Sequence, residues 1–260
     1  MENFNFAKKN ILLNFQIIYH LTVKNLKLKY KQTILGFFWS LLTPLFFLMI
    51  FNFVFGHAFQ SIERYPLYVL TGLIFWQFFS NASNQAIQSF LQNSGIIKTI
   101  NIPLRTFPMA AVVTEVVSLL LSLIPFTILM VFFGLKISWH SLLIFPVLGM
   151  FVWAIYNFGS ILGLLNVYMR DVGILWNTIS PALFYLTPIA YDPSIIPEKY
   201  QMFLQLNPLY HFFDSFHAIL YNNEMPEMKS ILIMFSIGMV TWILKLLIQP
   251  RLEKGVISNM

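Results

Sequence analysis

The run from Phe37 to Gly56 contains no Asp, Glu, Lys or Arg, and it directly follows a basic segment ending in Lys29-Tyr30-Lys31-Gln32-Thr33-Ile34-Leu35-Gly36. A helix crosses the hydrocarbon core of a bilayer with about 20 apolar residues, so this run is long enough to span. Lysines ahead of a span are retained on the cytoplasmic side. Several further runs are equally apolar. The chain is 58% hydrophobic and only 10% charged, against roughly 25% charged residues in a soluble domain. Too little charge remains to cover a water-facing surface. A transmembrane barrel would need strands of about 10 alternating residues, and the long continuous runs here do not alternate. The expected fold is all-α, a polytopic membrane protein.

Six spans are expected, at about 37–56, 67–89, 107–133, 142–166, 172–191 and 229–249. The Lys and Arg residues distribute with them. Twelve fall in the arm before the first span, the second-to-third and fourth-to-fifth connections and the tail, while Arg64, Lys136, Lys199 and Lys229 fall on the other side. That bias places both termini in the cytoplasm. Residues 1–36 then form a cytoplasmic arm, 37–250 a single six-helix transmembrane domain and 251–260 a cytoplasmic tail. No short apolar core with a small-residue cleavage site marks a signal peptide in the arm.

Within the arm, residues 9–33 read as an amphipathic helix at the membrane interface. Gln16, His20, Lys24, Lys27 and Lys31 are spaced to share one stripe, with Ile11, Phe15, Ile18 and Leu26 roughly opposite. Leu13 and Lys29 break the pattern. Two other stretches depart from plain spans. Residues 192–228 are too long for a turn and too apolar for a solvated loop. They read either as short helices dipping into the outer half of the membrane, broken at Asn207-Pro208, or as an external interfacial hairpin. Such broken backbone survives in a membrane only when packed on protein or lining a cavity. On the cytoplasmic side, 94–102 reads as a short surface helix with exposed isoleucines, suited to docking a partner, or as a loop resting on lipid.

Several chemistries are excluded. There is no cysteine, hence no disulfide or thiolate chemistry. No Gly-x-x-x-x-Gly-Lys-Ser/Thr phosphate-binding loop, no His-Glu-x-x-His and no Gly-x-Ser-x-Gly occurs. The chain is expected to be no enzyme, with no catalytic residue, metal or cofactor of its own. The net charge of +6 does not point to nucleic acid, because the basic residues sit at span ends, where orientation signals and anionic lipid contacts belong. The five histidines are scattered; His57 and His140 lie apart from the rest, and His211 and His217 flank Asp214.

Polar groups inside spans are the candidate functional residues. Glu115 is the clearest intramembrane charge, and such a charge faces the bundle interior or finds a partner. It forms an ion pair with a basic residue at the cytoplasmic side, for which Arg105 and Arg170 are candidates, or it is hydrated near the inner interface. Ser80, Asn84 and Gln88 share a face of the second span. They line a hydrated path for sugar hydroxyls, or they mark where the helix leaves the membrane. The aromatics Phe38, Trp39, Trp76, Phe79 and Tyr185 are candidates for a channel lining on which sugar rings slide. Tyr65, Tyr68, Trp139 and Tyr168 fit the interfacial belt.

Lys29-Tyr30-Lys31-Gln32-Thr33-Ile34-Leu35-Gly36-Phe37-Phe38-Trp39 followed by Pro44, Arg105-x-Phe107-Pro108, Asn166-x-x-x-Arg170-Asp171 and Asn207-Pro208-Leu209-Tyr210 occur in that order. Together they resemble the permeases of type-2 ABC exporters, and within them the branch that exports O-antigen, capsule and teichoic-acid polymers. The resemblance runs from about residue 10 to 250. It implies a homodimer with two separate ATPase subunits that carry ATP and Mg, in the cytoplasmic (inner) membrane of a bacterium. It implies a coupling helix at Ile96, Ile97, Lys98, Thr99, Ile100 and Asn101, with Arg170 and Asp171 adding contacts, and an external gate within 192–228. The substrate would be a polysaccharide on a polyprenyl diphosphate carrier, met at Leu35-Gly36, with Lys24, Lys27, Lys29 and Lys31 positioned to attract the anionic headgroup. Export of a drug or small lipid keeps the architecture and changes the cargo. An ion-coupled transporter would show repeated halves and more buried charge.

Overall fold

A computed structural model describes residues 2–31, 33–56, 62–134 and 138–260. Gln32, His57 and Lys136 lie outside the described residues. Among the described residues the regular structure is entirely helical. The main helices are α1 (Glu2–Tyr30), α2 (Trp39–Phe55), α3 (Tyr65–Gln92), α4 (Ser94–Thr99), α5 (Thr106–Phe132), α6 (Ile144–Tyr168), α7 (Asp171–Leu186), α8 (Glu198–Leu206), α9 (Pro208–His217), α10 (Met228–Glu253) and α11 (Val256–Asn259). A helix occupies each of the six stretches read as spans. Among the described residues, three segments are long and apolar enough to cross a membrane: Thr106–Phe132, Trp139–Tyr168 and Met228–Glu253.

The outer surface of these helices suits lipid rather than water. α10 buries Ser230, Met234, Gly238 and Lys245 against its neighbours and exposes Leu232, Phe235, Ile243 and Leu247. Ile124, Ile128 and Phe132 are likewise exposed on α5. A patch of this extent is incompatible with a monomeric soluble surface.

α3 is the centre of the bundle and packs on α2, α5, α6, α7 and α9. Its approach to α6 is close because α6 presents Gly159 and Gly163 one turn apart. A Cβ on Gly159 would fall 2.6 Å from the Ala86 Cβ, and one on Gly163 would fall 2.9 Å from the Ala86 carbonyl oxygen. Small residues at this spacing let two membrane helices meet backbone to backbone. The core beyond that contact is aromatic. Phe75 of α3 stacks on Phe216 of α9 with ring centroids 3.9 Å apart, and Phe151 of α6 packs on Phe79, Phe212 and Phe216.

The segment 192–228 divides into two helices of different fate. α9 inserts its Phe212, Phe213 and Phe216 fully into the core, whereas α8 leaves Met202, Phe203 and Leu206 exposed. Asn207 makes the break. Its Oδ1 accepts from the Leu209 N–H, capping α9, and its Nδ2 donates to the Leu186 carbonyl and to Thr187 Oγ1, tying the break to the end of α7. Pro208 takes the first helical position, where its missing N–H costs nothing.

The tail does not stand apart from the bundle. Val256 of α11 is fully buried in a second cluster with Leu21 of α1, Ile97 of α4, Phe107 of α5 and Leu164 and Val167 of α6. The Tyr168 hydroxyl holds the same end by donating to the Leu252 carbonyl. Lys245, grouped with the tail by its position in sequence, is buried in α10 with its Nζ 3.4 Å from the centroid of the Tyr156 ring.

Candidate functional site

α2, α3 and α7 enclose a groove of about 400 Å³. From α3 it receives Trp76, Gln77, Ser80 and Asn84. From α7 come Asn177, Ser180, Phe184 and Tyr185, and from α2 come Phe47 and Phe51. Trp76, Ser80, Asn84 and Tyr185 thus come together. The other expected lining residues do not. Phe79 is 5% exposed and sits in the core against Phe151 and Trp176, because it lies about 60° around the helix from Trp76. Gln88 lies about 120° from Trp76 by the same geometry, and its amide rests against Gly173 at the start of α7. Phe38 and Trp39 are exposed at the start of the first apolar helix, outside the groove. Gln77, Asn177 and Ser180 escaped the sequence reading; the α7 pair stands four and one residues before Pro181, in a stretch that reads as plain span. Ser180 is the most informative of the three, since its hydroxyl is buried and has no hydrogen-bond partner.

The arm helix is bolted to the bundle rather than only resting on lipid. Its packed face carries Ile17, Ile18 and Leu21. Lys24 Nζ donates to Asn93 Oδ1, and Lys29 Nζ lies 2.6 Å from Glu115 Oε2 and 3.1 Å from Ser118 Oγ. The Tyr30 hydroxyl meets Ser118 Oγ at 3.2 Å. Glu115 is therefore paired with Lys29, not with Arg105 or Arg170. Arg105 stands just before the N-terminus of α5, ten residues away and so about 15 Å along the helix, and is exposed. Lys29 broke the polar stripe in sequence because it belongs to the face that α5 covers. Lys27 and Lys31 remain exposed beside the turn at Leu35-Gly36. Gly36 adopts φ +51°, a conformation that side-chain-bearing residues adopt only at a cost.

α4 lies at the same end of the molecule as α11 and the start of α5. Its apolar residues are divided between two tasks. Ile97 is 6% exposed and anchors the helix in the second cluster, which corrects the expectation that it is free for docking. Ile96 is half-buried, while Lys98, Thr99, Ile100 and Asn101 are exposed. Arg170 and Asp171 are exposed three and four residues beyond the buried Val167 of the same cluster. The Asn166 side chain fixes that corner: its Oδ1 accepts from the Gly173 N–H at 2.9 Å, satisfying a free donor in the first turn of α7.

At the opposite end, a cavity of about 360 Å³ is lined by Glu63, Tyr68, Asp192, Asp214, His217 and Tyr221 among others. His217 Nε2 donates to the Tyr68 carbonyl, His211 Nε2 donates to the Gln205 carbonyl and His211 Nδ1 meets the Ser230 hydroxyl, so both imidazoles are engaged in structural contacts. Burial pushes the His217 imidazole down to about 4 and raises the Asp214 carboxyl, with the charge of Glu227 adding to it. Among the described residues no group of three His, Cys, Asp or Glu side chains could hold a metal ion.

Long apolar helices with lipid-suited outer faces, bundled around a groove of amides and aromatic rings, define a multi-pass membrane transport protein. The chain belongs to the ABC-2 type transporter family, whose model matches residues 16–221. It is 31% identical to an O-antigen export system permease protein, RfbA, of Klebsiella pneumoniae, over 95% of each chain. It is 25% identical to RfbA of Myxococcus xanthus over 92% of this chain and 93% of that one. Identity to the capsule polysaccharide export inner-membrane protein BexB of Haemophilus influenzae is 22% over 96% of each.

Proposed function

We propose that the chain is the permease subunit of an ABC exporter that carries a lipid-linked polysaccharide, of the O-antigen or capsule kind, across the bacterial inner membrane. The observation that carries this reading is the 31% identity to an O-antigen export permease over 95% of both chains. In this reading the chain acts as a homodimer of six-span subunits with both termini in the cytoplasm. Two separate ATPase subunits bind ATP and Mg, in keeping with the missing phosphate-binding loop. They dock on the exposed edge of α4, Lys98 to Asn101, with Arg170 and Asp171 beside it, while the buried Ile97 transmits their motion to α1, α5 and α6. Lys27 and Lys31 attract the diphosphate headgroup toward Leu35-Gly36. Lys24 and Lys29 hold the arm helix in place, which is the role their hydrogen bonds support. The glycan passes along the groove of Trp76, Ser80, Asn84 and Tyr185, and α8 and α9 form the external gate.

Deletion of the gene tests the reading. The cell surface should lose its polysaccharide while the lipid-linked polymer accumulates inside, as measured by immunoblot of surface and cytoplasmic fractions. Unchanged surface polymer would refute it.

A further inference from the structure

The groove between α2, α3 and α7 carries a second message in its charge. None of the thirteen described residues that line it is ionisable at neutral pH as a carboxylate or a cation. Its polar groups are amides and hydroxyls, from Gln77, Ser80, Asn84, Asn177 and Ser180, and its remaining surface is largely aromatic. The Ser180 hydroxyl is 2% exposed and holds no partner. The half-buried Gln77, Ser80 and Asn84 of α3 are the polar groups that the groove leaves accessible to whatever fills it. Pro181 adds a further acceptor, because it carries no N–H and so cannot supply the helical donor to the Asn177 carbonyl one turn earlier. Opposite these groups, Trp76 and Phe184 meet edge to face at 5.3 Å and present a rigid aromatic wall.

We infer that this groove takes uncharged sugar rings and discriminates against anionic ones. This rests on the export reading and narrows it to a substrate class. Amides and hydroxyls donate and accept at once, which matches sugar hydroxyls. Aromatic rings cover the apolar faces of a pyranose. A carboxylate on the sugar would shed its water in this groove and find no cation there, a cost that nothing in the lining offsets. Neutral hexose units meet no such penalty.

The test uses the purified full-length chain in lipid nanodiscs and two probes of equal length. One is maltotriose, which is neutral; the other is trigalacturonic acid, with one carboxylate per ring. Binding is read by saturation-transfer NMR, with circular dichroism and size exclusion to verify folding. Maltotriose should bind at least about tenfold more tightly, the scale set by an unpaired buried charge. Asn84→Leu should weaken maltotriose binding, and Asn84→Lys should shift the preference toward trigalacturonate. Equal or tighter binding of trigalacturonate to the unaltered chain would overturn the selectivity, and saturable binding of neither would overturn the groove as a glycan site. Both failures differ from failure of the export reading, which the surface polymer of deleted cells reports independently.

Discussion

Replacing Lys29 by Met would leave the Glu115 carboxylate buried without its ion-pair partner. Glu115 is 4% exposed in its side chain and Lys29 28%, so the penalty falls mainly on the acid. Removing one partner of a buried pair typically costs ~3 kcal/mol, and replacing both by apolar groups recovers most of it. Lys29→Met should therefore lower the thermal unfolding midpoint in detergent, and the double variant Lys29→Met with Glu115→Leu should restore it. A double variant that is as unstable as the sum of the singles would contradict the pairing. The sequence announced Glu115 as a charge in need of a partner but not which one. Helical periodicity groups residues by face, and Lys29 lies on the face that only tertiary packing against α5 reveals. Ser80 and Asn84 were legible because a spacing of four keeps neighbours on one face, and Trp76 as an aromatic ring of the same span; that spacing drifts by about 40° at each step, which is why Gln88 turns away. Ser180 gave no signal, since a lone serine in an apolar run is ordinary.

α4 and the α3–α6 contact are the elements on which the account makes its sharpest structural demands. Ile97 lies within α4 and is buried, whereas Ile100, the extended residue just past its end, is 57% exposed. Ile97→Asp should destabilise the protein itself, by about 2 kcal/mol or more for a charge forced into a packed site, read as loss of monodisperse material. Ile100→Asp should leave folding intact and abolish capture of the ATPase in co-purification. The reverse pattern would mean that α4 is not the docking element as oriented here. Between α3 and α6, Gly159→Val should cost about 1–3 kcal/mol by overpacking, since even its Cβ collides with Ala86, and should show as a lowered unfolding midpoint; no change would contradict the close approach. Helix positions were readable because long apolar runs leave few alternatives. The split of 192–228 was not, because burial of α9 depends on aromatic partners from α3 and α6 far away in sequence. Asn207-Pro208 marked the break but not which side of it enters the core.

At the scale of the whole molecule, the proposed function makes the chain a conduit moved from outside. Its helices supply a lipid-suited exterior, a groove without charged lining among the described residues and a second cluster that ties α1, α4, α5, α6 and α11 into one block. That block explains why the tail matters: Val256 is fully buried, so truncation after Glu253 should loosen α4 and reduce export even though no expected contact to ATPase or substrate is removed. A truncated chain exporting at the full rate would contradict this. The most direct test of the central claim is transport in sealed vesicles containing the chain and its partner ATPase, with lipid-linked polysaccharide presented on the ATPase side. The account predicts polymer appearing in the lumen only with hydrolysable ATP, and none when either protein is omitted or the ATPase is inactivated. Transport by the chain alone would contradict it.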